Sequence, residues 1–268
     1  MDQDAGVRHV RLTTGVSLAY TSTGPSSATP VLFLHAWAES RRSFDRLLAL
    51  LPATFHAIAM DQRGHGDAER PEAGYSLDNL AEDVEAFMHE LDLSSAVLFG
   101  SSSGGYVAQQ VAIRNPELVA GLVLVGSPRS LQGRPAFADE VEQLTDPIDV
   151  AWVRESLTWF PRIQPVPPWY VDDRVRDGAR IPAHVWREAF GGLTSACPPT
   201  DAGTITAPTL IVWGDHDELL TRDHEQRLAS AIPDSRLVVY EDTGHLVLWE
   251  QPVRLASDLI DYIETLDG

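Results

Sequence analysis

The sequence contains no lysine: all twenty of its basic residues are arginine. A Schiff-base lysine, a pyridoxal phosphate anchor and a P-loop lysine are therefore excluded. Cysteine is nearly as scarce. Cys197 stands alone in 268 residues, so no intrachain disulfide can form and a cysteine-based metal cluster is ruled out. No apolar run approaches the length needed to span a bilayer, and the opening MDQDAGVRHV lacks the apolar stretch of a secretory signal. These absences lead us to expect a cytoplasmic enzyme or binding protein. Positive charge is also short: the formal net charge is -19, and the arginines are scattered rather than clustered. Such a field repels nucleic acid and anionic membrane surfaces, and it does not gather acidic substrates.

Against these gaps, 44% apolar and 22% charged residues are ordinary for a chain with a packed core. The length suits one large α/β domain, or a core domain with an inserted segment. VRHVRLTTG (7–15) and VSLAYTSTG (16–24) alternate around Gly15 and predict an antiparallel hairpin. Continuous apolar runs at 30–37, 55–61, 95–102, 119–127, 208–217 and 236–242 read as strands buried on both faces. Helical spacing between them predicts helices over 39–51, 76–93, 103–115, roughly 221–231 and 250–265. Parallel strands need crossover helices, so the fold class is α/β, a mostly parallel sheet with helices on both faces. Residues 128–203 break the rhythm. They lack buried-strand runs, carry four of the seven tryptophans and include the proline-rich WFPRIQPVPPWY. This segment is expected to be a mostly helical cap inserted into a core formed by 1–127 and 204–268.

The stretch FGSSSGGYV (99–107) packs three serines between glycines. Only Ser102 is bracketed two residues either side by glycine, as Gly100 and Gly104 complete G-x-S-x-G. With SAVLF before it as a strand and YVAQQVAI after it as a helix, the spacing predicts a nucleophile on a strained strand-to-helix turn. The helix N-terminus then favours a developing oxyanion.

A serine hydroxyl needs a base. His245, in YEDTGHLVLWEQP just after the last buried strand, is the candidate at the same sheet edge. His9, His56, His89, His184 and His224 read as surface or packing residues. His65, in the 61–67 loop, lies near the edge of the site within reach of a substrate. The imidazole in turn needs an acid to fix its tautomer. WGDHDELL supplies Asp217 for that role, with Asp215 capping the turn. Asp215, His216 and Asp217 are adjacent and do not converge on one ion, so no metal is expected.

The order Ser102, Asp217, His245, together with HAW, DQRGHGD, GSSSGG, WGDHD and DTGH, resembles the landmarks of the α/β-hydrolase superfamily. The likeness covers essentially the whole chain, cap included. It implies a central sheet of about eight strands and an oxyanion hole made by the backbone N–H groups of Ser103 and Trp37. This sequence places Ala36 where H-G-x usually has glycine, which narrows the approach to the Trp37 amide. His35 is expected to brace that loop. The resemblance also implies a cofactor-free enzyme that cleaves a carboxylic ester or lactone, taking a hydrophobic small molecule and water through an acyl-enzyme. Carbon–carbon bond hydrolysis of dienoic diketones and perhydrolysis stay open on the same triad, as does a ligand-binding protein without turnover. The cap aromatics Trp152, Trp159, Phe160, Trp169, Tyr170 and Trp186 are the expected substrate contacts.

Overall fold

The computed structural model describes residues 6–266. Strands β1 (Arg8–Arg11) and β2 (Ser17–Thr23) form the expected antiparallel hairpin, with Arg8 opposite Tyr20. Strand β2 also runs antiparallel to β4 (His56–Met60). The remaining pairs, made by β3 (Pro30–Leu34), β4, β5 (Ala96–Ser101), β6 (Val119–Val125), β7 (Thr209–Gly214) and β8 (Ser235–Tyr240), are parallel. The sheet has eight strands in the order β1-β2-β4-β3-β5-β6-β7-β8. Successive strands step to opposite sides of β3, so a crevice opens beyond the carboxyl ends of β3 and β5, where such sheets bind ligands.

The helices follow from what the strands leave uncovered. Along β3, Val31 and Phe33 enter the core on one face of the sheet while Leu32 and Leu34 enter the other, as a two-residue period dictates. In chain order the helices are α1 (Asp45–Leu48), α2 (Leu77–Glu90), α3 (Ser103–Arg114), α4 (Ala138–Glu142), α5 (Val150–Ser156), α6 (Pro168–Ala179), α7 (Ala183–Ser195), α8 (Pro199–Ala202), α9 (Arg222–Ala231), α10 (Val247–Glu250) and α11 (Pro252–Leu266). Leu80, Val84 and Phe87 of α2 cover the Leu32 face, and Leu255, Leu259 and Ile263 of α11 cover the Phe33 face. No helix among the described residues is long and apolar enough to cross a membrane.

Two expected helices differ in form. Residues 39–51 wind first as a 3-10 turn (Arg41–Phe44) and then as the single α turn of α1. The Arg41 amide is drawn to Asp61 Oδ1 at 2.7 Å, and the Ser40 hydroxyl caps the turn, so tertiary bonds replace helical ones. Gln251 and Pro252 divide the last helix into α10 and α11. Between β6 and β7 the chain leaves the sheet for α4 to α8.

Candidate active site

Ser102 sits where β5 gives way to α3, with φ 48 and ψ -120. Few L-residues occupy that region, and holding one there costs about 1–3 kcal/mol. The flanking glycines make the turn possible. A Cβ on Gly100 would overlap the backbone of Gly104 and Gly105, and a Cβ on Gly104 would overlap the carbonyl oxygens of Leu34 and His35. The G-x-S-x-G spacing is thus a packing requirement: the turn rests directly on the end of β3. A bond from Ser102 N to Val125 O at 2.8 Å ties the turn to β6.

His245 follows β8, and its Nε2 lies 3.0 Å from Ser102 Oγ. Its Nδ1 lies 2.7 Å from Asp217 Oδ2. With Nδ1 donating to the carboxylate, Nε2 is left to accept from the serine hydroxyl. The other carboxylate oxygen, Asp217 Oδ1, accepts from the amides of Leu219 and Leu220, each at 2.9 Å. Both side chains are buried, and the Phe160 ring stacks on the imidazole at 5.4 Å. The three residues expected to form a relay are therefore brought together in one hydrogen-bonded line. Asp215 is held elsewhere. Its bonds run to Thr243 N and His216 Nδ1 in the turn, as its expected capping role requires.

The two residues expected to supply oxyanion donors are neighbours, joined by a bond the sequence did not reveal. The Trp37 amide donates to Ser103 Oγ at 2.7 Å, while the Ser103 amide is a first-turn N–H of α3, free of helical acceptors. His35 holds the loop from behind: Nδ1 donates to Ala36 O at 2.8 Å, and Nε2 accepts from Gln62 N at 2.9 Å. Burial lowers His35 to about 4, so it stays neutral. His65 is not among the residues that line the cavity over Ser102. It is buried against His35 at 5.3 Å and bonded to Arg63 O, and burial, reinforced by His35, lowers it to about 3.

A cavity of about 410 Å³ opens over Ser102 and His245, a size typical of small-molecule sites. Of the aromatics read as substrate contacts, Trp159, Phe160 and Trp186 line it. Trp152, Trp169 and Tyr170 do not. On α5 the cavity face carries Val153 and Ser156, three residues apart, and Trp152 lies off that stripe, edge-on to Trp159 and Trp186. Tyr170 is buried against Trp249, its hydroxyl donating to Ser43 O. Trp169 is 54% exposed.

Other wall residues escaped the sequence reading. Phe137 stacks on Trp159 at 4.3 Å, and Phe190 tilts against Trp37 at 5.4 Å. Phe190 lies one helical turn after Trp186, a spacing that was available to find it. His224, expected on the surface or in packing, also lines the cavity. Burial, then Arg129, holds it below the ordinary histidine value. Leu131 completes the rim.

One buried acid stands behind the relay. Glu225 is fully buried, neither of its carboxyl oxygens has a hydrogen-bond partner, and burial, with the nearby Asp217 charge, pushes it up to about 9. It is therefore a neutral acid at pH 7. Among the described residues, no three His, Cys, Asp or Glu side chains converge as a metal ion requires.

A model of the alpha/beta hydrolase family matches residues 31–258. A non-heme chloroperoxidase of Streptomyces lividans is 29% identical over 271 residues, covering 94% of this chain and 97% of its own. An esterase from Rhodococcus sp. ECU1013 superposes with a TM-score of 0.83 at 25% identity, over 97% of this chain and 99% of its own. An enol-lactonase from Burkholderia xenovorans superposes with a TM-score of 0.83 at 20% identity, over 96% of this chain and 100% of its own. The last likeness speaks for the fold alone.

Proposed function

Because the chain belongs to the alpha/beta hydrolase family, we propose that it is a serine hydrolase cleaving a carboxylic ester or lactone of a largely hydrophobic small molecule. The observation that carries this reading is the unbroken line from Ser102 Oγ through His245 to Asp217 Oδ2, with links of 3.0 and 2.7 Å. In the reaction Ser102 attacks the carbonyl as His245 takes its proton. The resulting alkoxide is met by the amides of Ser103 and Trp37 at the N-terminus of α3, and each such donor contributes about 3 kcal/mol. His245 then protonates the leaving oxygen, and the acyl-enzyme is released by water that His245 deprotonates. Asp217 keeps the proton on Nδ1 throughout and stabilises the imidazolium. No cofactor takes part in these steps.

The cavity walls favour an apolar substrate, and the lack of excess positive charge disfavours an acidic one. A second reading, perhydrolysis, in which hydrogen peroxide takes the place of water on the acyl-enzyme, is favoured by the likeness to the non-heme chloroperoxidase. A fluorophosphonate probe tests the common step. Labelling of the wild type but not of Ser102→Ala is expected, and an unlabelled wild type would overturn the proposal. Releasing the acyl group with water and with peroxide, and identifying acid or peracid by mass, separates the two readings.

A further inference from the structure

We propose that the Ser103 side-chain hydroxyl is a further catalytic group: it donates its own hydrogen to the oxyanion formed on Ser102, beside the backbone amides of Ser103 and Trp37. The proposal rests on the hydrolase reading and deepens it, adding a side-chain donor to a hole otherwise made of backbone.

Ser103 follows the nucleophile directly and opens α3. It lines the cavity over Ser102 together with Ala36 and Trp37. Its Oγ accepts the Trp37 N–H at 2.7 Å. A serine hydroxyl has two acceptor lone pairs and one hydrogen to give. Among the described residues nothing takes that hydrogen. An O–H enclosed by protein without an acceptor is costly, and here the protein offers none, so the partner must come from the cavity. The hydroxyl hydrogen turns about the Cβ–Oγ bond to suit whatever acceptor is presented.

The surroundings direct that hydrogen to the oxyanion. Hydroxyl and amide belong to one residue, so covalent geometry keeps Oγ close to the Ser103 nitrogen. An oxygen that accepts the Ser103 N–H therefore has the O–H as its neighbour. The amide itself stands in the first turn of α3, free of helical acceptors, where the helix dipole favours negative charge. The Trp37 amide draws on a lone pair of Oγ and so polarises the O–H, which makes it a stronger donor. Hydrogen bonds to a charged acceptor are roughly twice as strong as neutral ones. The hydroxyl thus gives more to the alkoxide than to the carbonyl of the bound ester, and such a difference raises kcat. Its proton stays on Oγ throughout.

The test compares Ser103→Ala, Ser103→Thr and Ser103→Cys with the wild type on a nitrophenyl ester. Inhibition by a trifluoromethyl ketone is measured beside it, because the hemiketal formed with Ser102 carries the same oxyanion. Alanine is expected to lower kcat and kcat/KM alike, by about 100-fold, and to weaken the ketone by a matching factor. Threonine, which keeps the hydroxyl, retains most of both. Cysteine, a weak donor, falls with alanine. If threonine fails to fold, the contrast between serine and cysteine carries the test. A hydroxyl that serves only to anchor the Trp37 loop would lower stability in urea without moving kcat or the ketone, and that result would overturn the proposal. A higher kcat in Ser103→Ala would overturn it too, by marking the hydroxyl as an obstruction. Fluorophosphonate labelling keeps the two readings apart. An unlabelled wild type sinks the hydrolase reading and this proposal with it, whereas a labelled wild type whose alanine variant keeps its kcat sinks this proposal alone.

Discussion

The sheet core and the helices α5 to α7 between β6 and β7 face each other across one cavity but hold their side chains there by different means. On the core side each key residue is fixed by backbone: Ser102 by a turn wedged onto β3, Asp217 by two amides, and His35 by bonds at both ring nitrogens. On the inserted side the walls are aromatic rings held by one another, as where Phe137 lies on Trp159 and Trp152 meets both Trp159 and Trp186 edge-on. Backbone-fixed groups tolerate no exchange, whereas rings packed on rings can be replaced one at a time. The core should therefore set the chemistry and the inserted helices the choice of substrate.

Substitutions on the two sides measure how sharp this division is. The largest effect is expected at Ser102→Ala, with kcat on a nitrophenyl ester lowered by up to about a millionfold. Ser102→Gly should lose activity equally yet gain about 1–3 kcal/mol in urea unfolding, because glycine accepts the strained φ and ψ. A Gly variant no more stable than the Ala variant would remove strain from the account. Next, Asp217→Asn should cost about 10³- to 10⁴-fold in kcat/KM, while Asp215→Ala costs less than about tenfold. Similar losses in the two would break the assignment of the acid.

Glu225→Gln tests the core's stability rather than its rate. Glu225 is raised on folding to about 9, so the folded state holds a proton that the unfolded chain releases above its ordinary value near 4.5. Its contribution is intact at low pH and is lost as pH climbs from about 4.5 to 9. The glutamine variant escapes this loss. Its advantage in unfolding free energy should grow with pH, reaching about 5 kcal/mol near pH 8. An advantage that does not change with pH would show that burial has not raised the acid. The smallest effects belong to the inserted side. Trp159→Ala should raise KM for bulky apolar esters about tenfold with kcat little changed, since a ring contact made alike in ground and transition state is lost. The exposed Trp169→Ala should leave KM alone and shift stability by no more than about 0.5 kcal/mol. A kcat loss at Trp159 as deep as that at Asp217 would erase the distinction between the two sides.

The same division explains what could be read from sequence. Gly100, Ser102 and Gly104 were legible because a backbone clash two residues either side of the turn demands glycine, and that demand is local. Asp217 and His245 were legible because each follows a buried strand and so falls at one sheet edge. Pocket-facing residues in the inserted segment were not legible in this way. Trp152 and Val153 are neighbours in sequence, yet only Val153 meets the cavity, because the angle of α5 over the sheet is set by packing among distant residues. Tyr170 was misread for the same reason, since an aromatic ring serves equally well beneath a wall or on it. Glu39 and Arg174 line the cavity yet gave no signal, because their partners Trp249, Ser43 and Asp177 come from separate stretches of the chain. The Ser103 hydroxyl on the Trp37 amide was equally invisible.

That last bond keeps one peptide N–H from being left unpaired at the pocket floor. A buried donor without an acceptor carries a desolvation cost, and the neighbouring hydroxyl removes it. The loop that bears Trp37 is thereby anchored to the first turn of α3 across 66 residues of chain, with no group brought in from outside.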